Sequence, residues 1–187
     1  MVVRPESVVE YFKELVDGAL ANQHVEAGEL TAFYVVHLLS EFVRRPGDDE
    51  PLGPKLLAAL DASGVQRRAT LKQVGDASLF ISGFFVDSLR RKPVDVDYYM
   101  TIGGRAYDAL SRDDDGGFSP VFAELAEKFA AFVDILSEVS ERTSCATNSD
   151  LLRLYERWLR TGGRRSGQLL VERGIVPNRS LKNMSVQ

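Results

Sequence analysis

Two aspartates interrupt an otherwise apolar stretch, VGDASLFISGFFVDSL, which covers residues 74–89. Asp76 and Asp87 lie eleven positions apart, so at about 100° per residue they share one side of a helix with Gly83. A carboxylate in apolar surroundings needs a partner, because burying it alone is costly. We therefore expect both aspartates to face a seam that water, an arginine or a ligand can reach.

A histidine and a glutamate on another apolar helix are further candidates for binding a ligand or a metal ion. His37 and Glu41 are four residues apart, which places both on one helix face, where they could bind one metal ion together with Asp76 or Asp87. The opposing interpretation is structural: Asp87 pairs with an arginine one turn later, Asp76 caps a neighbour or faces solvent, and His37 and Glu41 make ordinary polar contacts. The ligand or metal candidates are thus His37, Glu41, Asp76 and Asp87, and the sequence identifies no cofactor.

The chain lacks the short motifs that identify common enzyme classes. No Gly-x-Gly-x-x-Gly or Gly-Lys-Ser/Thr loop is present, and no serine lies in a nucleophile elbow. Neither histidine belongs to the Glu-x-x-His motif of di-iron bundles, and the DDDGG run has Phe122 where an EF-hand needs Glu. We therefore expect a non-enzymatic helical module that binds a protein partner or a small ligand. The alternative is a metal-dependent or small-molecule enzyme with a site between helices around His37, Glu41, Asp76 and Asp87.

Charge is distributed unevenly along the chain, whose formal net charge is −4. From Asp150 to the end, eight basic and three acidic residues give +5, which leaves −9 for the rest. This asymmetry indicates either docking of the C-terminal segment on an acidic body or an anionic partner. The acidic total and the lack of a helix-turn-helix signature argue against nucleic acid. The predicted anionic-partner surface is an arginine stripe that comprises Arg153, Arg157, Arg160 and Arg164.

Apolar spacing of three and four residues predominates, and no run alternates with period two, so we expect an all-α fold of six or seven helices around a central apolar helix pair. The pair comprises the helices predicted at 27–45 and 67–92. Gly83 and Gly103 predict close approach of another helix or a ligand, since glycine would weaken an isolated helix. Other helices are predicted at 5–21, at 95–111, and from Ser119 as N-cap past Val139.

Length and composition predict one domain, residues 1–176, followed by a flexible tail, residues 177–187. Cys145 is the only cysteine, which is typical of a reducing compartment. The ten uncharged residues between the two aspartates are about half of the ~20 that a bilayer span needs. Charged residues also interrupt the N-terminus, unlike the apolar region of a signal peptide. We therefore expect a cytoplasmic protein without a membrane span, and the sequence does not specify the oligomeric state.

Overall fold

The computed structural model describes residues 5–44, 51–85, 89, 95–113, 116–146 and 164–172. Within these ranges the chain forms helices and no strand, so the all-α prediction is confirmed. Two units are distinguished, Met1–Ser140 and Glu141–Gln187, and the site described below lies in the first. The single-domain prediction stays a prediction, and residues 177–187 lie outside the described ranges. The helices are α1 (Pro5–Asn22), α2 (Glu29–Arg44), α3 (Leu52–Asp61), α4 (Gly64–Phe84), α5 (Val96–Asp113), α6 (Ser119–Glu127), α7 (Phe129–Ala146) and α8 (Arg164–Glu172).

A histidine ends α1. His24 has φ 53°, in the left-handed region that glycine usually occupies at helix ends. Its N–H donates to the Ala21 carbonyl oxygen at 3.3 Å, and the Val25 N–H donates to the Leu20 carbonyl oxygen at 3.0 Å. These two bonds form a Schellman motif, which satisfies the last carbonyl groups of the helix. His24 therefore serves as a helix terminator.

The start of α2 is held by a carboxylate from α6. Glu124 Oε2 accepts the Gly28 N–H at 3.1 Å, its carboxylate also accepts the Thr31 hydroxyl, and Lys128 donates to Oε1 at 2.9 Å. Burial alone would raise the pKa of Glu124, but these hydrogen bonds outweigh burial and lower it. A negative charge is also favourable at the positive end of a helix dipole. This contact fixes α2 against α6. The two helices carry Tyr34 and Phe122, which belong to the candidate site described below.

Glycines allow α4 to pack closely on its neighbours. Its most extensive packing is against α5, whereas α2 lies mainly against α1. A Cβ atom at Gly103 of α5 would lie 2.7 Å from the Cβ of Ser78, and one at Gly83 would overlap Leu136 and lie 3.2 Å from the Val133 carbonyl oxygen. Because such distances leave no room for a side chain, the predicted close contacts at Gly83 and Gly103 are confirmed.

Some boundaries differ from the sequence prediction. The helix expected from Ser119 past Val139 is two helices, because the chain turns at Lys128 (φ −103°, ψ 25°). Ser119 is the first residue of α6 and not its N-cap, since its hydroxyl donates to the Ser111 carbonyl oxygen of α5 at 2.5 Å. The helix predicted over 67–92 ends earlier, at Phe84, because Phe85 leaves helical geometry (φ −115°, ψ 25°) and forms its C-cap.

Candidate ligand site

Asp76 of α4 is a buried carboxylate that accepts hydrogen bonds from three side chains. Tyr34 of α2 and Tyr107 of α5 both donate to its Oδ1, at 2.6 and 2.8 Å. Lys72, one turn earlier on α4, donates to its Oδ2 at 2.8 Å. Only 8% of the Asp76 surface is exposed. Both carboxylate oxygens thus accept hydrogen bonds, and one of the three donors, the Lys72 ammonium, is charged. A buried carboxylate requires such partners.

Packing positions the two tyrosines. The buried ring of Tyr107 lies against Gly75, where a Cβ atom would be 2.6 Å from the ring, so the absence of a side chain lets the hydroxyl reach the adjacent Asp76. Phe122 of α6 contacts both rings. It stacks on Tyr107 with centroids 5.9 Å apart and meets Tyr34 edge to face at 5.5 Å. One phenylalanine therefore helps to orient both phenol donors.

Burial and the neighbouring negative charge act on both tyrosines in the same direction. Burial raises the pKa of Tyr34 far above its ordinary value, and the charge of Asp76 and the hydrogen bond to it raise the pKa further. Burial is also the largest cause that raises the pKa of Tyr107 well above its ordinary value, followed by the charge of Asp76. Both phenols are therefore protonated donors at neutral pH, not bases or nucleophiles.

An open pocket of about 320 Å³ adjoins this network. The volume falls near the lower end of the range of about 300 to 1,000 Å³ that is typical of small-molecule sites. Tyr34 and Lys72 belong to both the pocket wall and the Asp76 network, so the buried carboxylate orients two side chains that a ligand would meet. The lining residues are Tyr34, Val65, Arg68, Ala69, Lys72, Leu110, Phe118 and Phe122.

Two cations of the described ranges line this pocket, and they differ in how their charge is compensated. The Lys72 ammonium pairs with Asp76 and lies 5.4 Å from the centroid of the Tyr34 ring. Arg68 has no ion pair among the described residues, and the adjacent Arg67 pairs with Asp113. No carboxylate of the described ranges lines the pocket. Among the residues that the structure describes, the pocket therefore combines mostly apolar walls with one positive charge that has no ion-pair partner.

Three of the four predicted ligand or metal residues are described, and of these three only Asp76 lies beside this pocket. The structural interpretation expected Asp76 to cap a neighbouring helix or to face solvent, and Asp76 does neither. His37 and Glu41 are exposed on α2, and the His37 ring packs on Phe33 with centroids 4.2 Å apart. In the part of the chain that is described, no three His, Cys, Asp or Glu residues form a group that could hold a metal ion. Asp87 lies outside that part, so the complete metal hypothesis stays a prediction.

The predicted anionic-partner surface is described at one position. Arg164 begins α8 and is exposed. Arg153, Arg157 and Arg160 lie outside the described residues. The arginine stripe therefore stays a prediction.

Sequence reasoning missed Tyr34, Tyr107 and Lys72. Lys72 carried a visible signal, because a lysine four residues before Asp76 has the spacing of a helical ion pair. The tyrosines carried none, because their hydroxyls reach Asp76 from positions 42 and 31 residues away in the chain. Only the packing of α2 and α5 against α4 identifies them.

Comparison of the chain with protein-family models, with curated proteins and with solved structures finds no match. None of the described helices has both the length and the apolar character needed to cross a bilayer. The functional inference therefore depends on the chemistry of the pocket.

Proposed function

We propose that this protein is a binding module for a small organic molecule whose apolar part occupies the pocket beside Asp76. The observation that supports the proposal is an open space of about 320 Å³ with mostly apolar walls. Large apolar side chains in those walls remain in contact with solvent: Val65 is 75% exposed and Phe118 is 46% exposed. A ligand that covers them would remove apolar surface from water, which is the main source of affinity in such sites.

The aromatic wall suits a flat or compact apolar group. Tyr34 lies 5.5 Å from Phe122 and 6.4 Å from Phe118, and the two phenylalanines are 6.4 Å apart, measured between ring centroids. Three rings in mutual contact offer both faces and edges to a bound molecule. Because these walls line a concave space of ligand size, a small molecule fits them better than the surface of a protein partner.

The polar groups of the pocket favour binding over catalysis. The Tyr34 hydroxyl is protonated and donates to Asp76, and both oxygens of Asp76 already accept hydrogen bonds. A general base needs a free acceptor within reach of the substrate. The small-molecule enzyme alternative therefore has less support from these residues than a binding role.

A neutral fluorescent probe tests the proposal. We expect N-phenyl-1-naphthylamine to bind saturably, with one molecule per chain. Ala69→Trp should weaken this binding at least about tenfold by filling the pocket, which corresponds to about 1.4 kcal/mol. The matched control is Ala130→Trp, at an exposed position of α7 that does not line the pocket.

A second measurement does not depend on a substitution. Amide chemical-shift changes caused by the probe should concentrate on the residues that line the pocket. Absence of saturable binding would reject the proposal, as would equal binding by the two tryptophan variants together with shift changes elsewhere in the chain.

A further inference from the structure

We propose that the ligand is an organic anion, with its apolar body between the aromatic residues of the pocket and its anionic group on the guanidinium of Arg68. This inference rests on the proposed binding function and specifies the chemical class of the ligand. The relevant chemistry is that of a singly charged carboxylate, sulfonate or phosphodiester attached to an apolar group.

The position of Arg68 carries the inference. Its side chain lines the pocket and is partly buried, and it forms no ion pair among the described residues. A guanidinium next to apolar walls loses hydration, and a ligand anion would replace part of what is lost. The planar guanidinium can also donate two parallel N–H bonds to one anionic group, which fixes the orientation of the ligand.

The charge balance of the pocket indicates a single negative charge. The described residues of the site contribute two cations, Arg68 and Lys72, and one anion, Asp76, to which Lys72 is bound at 2.8 Å. These described residues therefore leave one positive charge unpaired. The whole chain has a net charge of −4, so a positive pocket is not the consequence of a generally basic protein.

Lys72 can assist Arg68 without giving up its own partner. An ammonium group has three N–H donors, and one of them is used by Asp76 Oδ2. The other donors are available to an anion at the pocket, because the side chain is 46% exposed. Apolar surroundings strengthen both charge interactions relative to bulk water.

Two probes that differ by one sulfonate test this inference on the full chain. 8-Anilinonaphthalene-1-sulfonate is the anionic counterpart of N-phenyl-1-naphthylamine. We expect the anionic probe to bind at least about tenfold more tightly. Added salt should weaken its binding and leave that of the neutral probe unchanged, because salt screens only the charge interaction.

Substitution of Arg68 separates charge from apolar contact. Arg68→Gln should weaken binding of the anionic probe about tenfold. Its affinity for the neutral probe should stay within about twofold of that of the unmodified protein. Arg68→Lys should retain most of the affinity for the anionic probe. The matched control is Arg105→Gln, which removes the same charge from an exposed position of α5 outside the pocket.

The outcomes distinguish the two proposals. If the neutral probe binds in the pocket but the anion binds no more tightly, or if Arg68→Gln weakens both probes equally, the organic-anion inference is wrong and the binding function stands. If neither probe binds in a way that Ala69→Trp prevents, the binding function is wrong, and the organic-anion inference with it.

Discussion

Residues 72–76 and residues 78–83 are neighbouring segments of α4 that meet the rest of the protein differently. In the first segment, Asp76 receives hydrogen bonds from three side chains beside an open pocket. In the second, the Ser82 hydroxyl donates to the Ser78 carbonyl oxygen at 2.7 Å, and the buried Ser78 hydroxyl has no partner within the described ranges. The small polar residues of the second segment therefore serve close packing and not a polar network.

The difference shows two uses of polar residues on one apolar helix. A buried carboxylate requires donors, so Asp76 lies where α2 and α5 provide them. A serine costs far less when it is unpaired, and its small volume lets a neighbouring helix approach. The first segment should therefore be sensitive to the loss of a polar group, and the second to a gain of volume.

Loss of the carboxylate should have the largest effect. Asp76→Ala should lower the free energy of unfolding by about 2 to 5 kcal/mol, because it leaves the buried hydroxyl of Tyr107 and the partly buried hydroxyl of Tyr34 without an acceptor. Urea unfolding measures the change. The matched variant is Ser78→Ala, which loses no hydrogen bond among the described residues and should stay within about 0.5 kcal/mol. Similar losses in the two variants would contradict the distinction between the segments.

Gain of volume in the second segment should have the next largest effect. Gly83→Ala should lower the free energy of unfolding by about 1 to 3 kcal/mol, because the added methyl group would overlap Leu136. At Gly104 of α5 a Cβ atom would have no neighbour within 4 Å. Gly104→Ala should therefore raise stability by about 0.5 to 1 kcal/mol through its higher helix propensity. Thermal unfolding of the two variants checks this pair, and identical melting would show that Gly83 is not closely packed.

The last comparison concerns how stability depends on pH in the alkaline range. The folded-state pKa of Tyr107 is raised above its value of 10.0 in the unfolded chain, mainly by burial. Its contribution to stability is thus complete below that value and is lost as pH rises above it, because only the unfolded chain then releases the proton. Above that pH, one such group lowers the free energy of unfolding by about 1.4 kcal/mol for each pH unit.

Tyr107→Phe should remove this slope. We expect the free energy of unfolding of the unmodified protein to fall more steeply than that of the variant above about pH 10, and equally below about pH 9. The variant should also lose about 0.5 to 1.5 kcal/mol at neutral pH, since one hydrogen bond to Asp76 is removed. Parallel curves across the alkaline range would show that Tyr107 is not buried as a neutral phenol.

The helical class and most helix positions were predictable because apolar spacing is a local property. Predicted bounds of 5–21 and 27–45 correspond to α1 and α2 within two residues at each end. The break at Lys128 was not predictable, since the apolar spacing of three and four continues across it and no glycine or proline marks it. Gly83 and Gly103 could be singled out because their cost to an isolated helix implied a close neighbour.

The sequence by itself determined that this protein is helical, that α4 carries a carboxylate in apolar surroundings, and where small residues permit close packing. The tertiary structure decided which groups satisfy that carboxylate and where a ligand-sized space remains. Tyr34 and Tyr107 reach Asp76 only because three helices converge on it. Local periodicity specifies which face of each helix is buried, but not which face of another helix it meets. Partners that are distant in the chain are therefore determined by packing, which minimises unpaired polar groups and empty volume across the whole core.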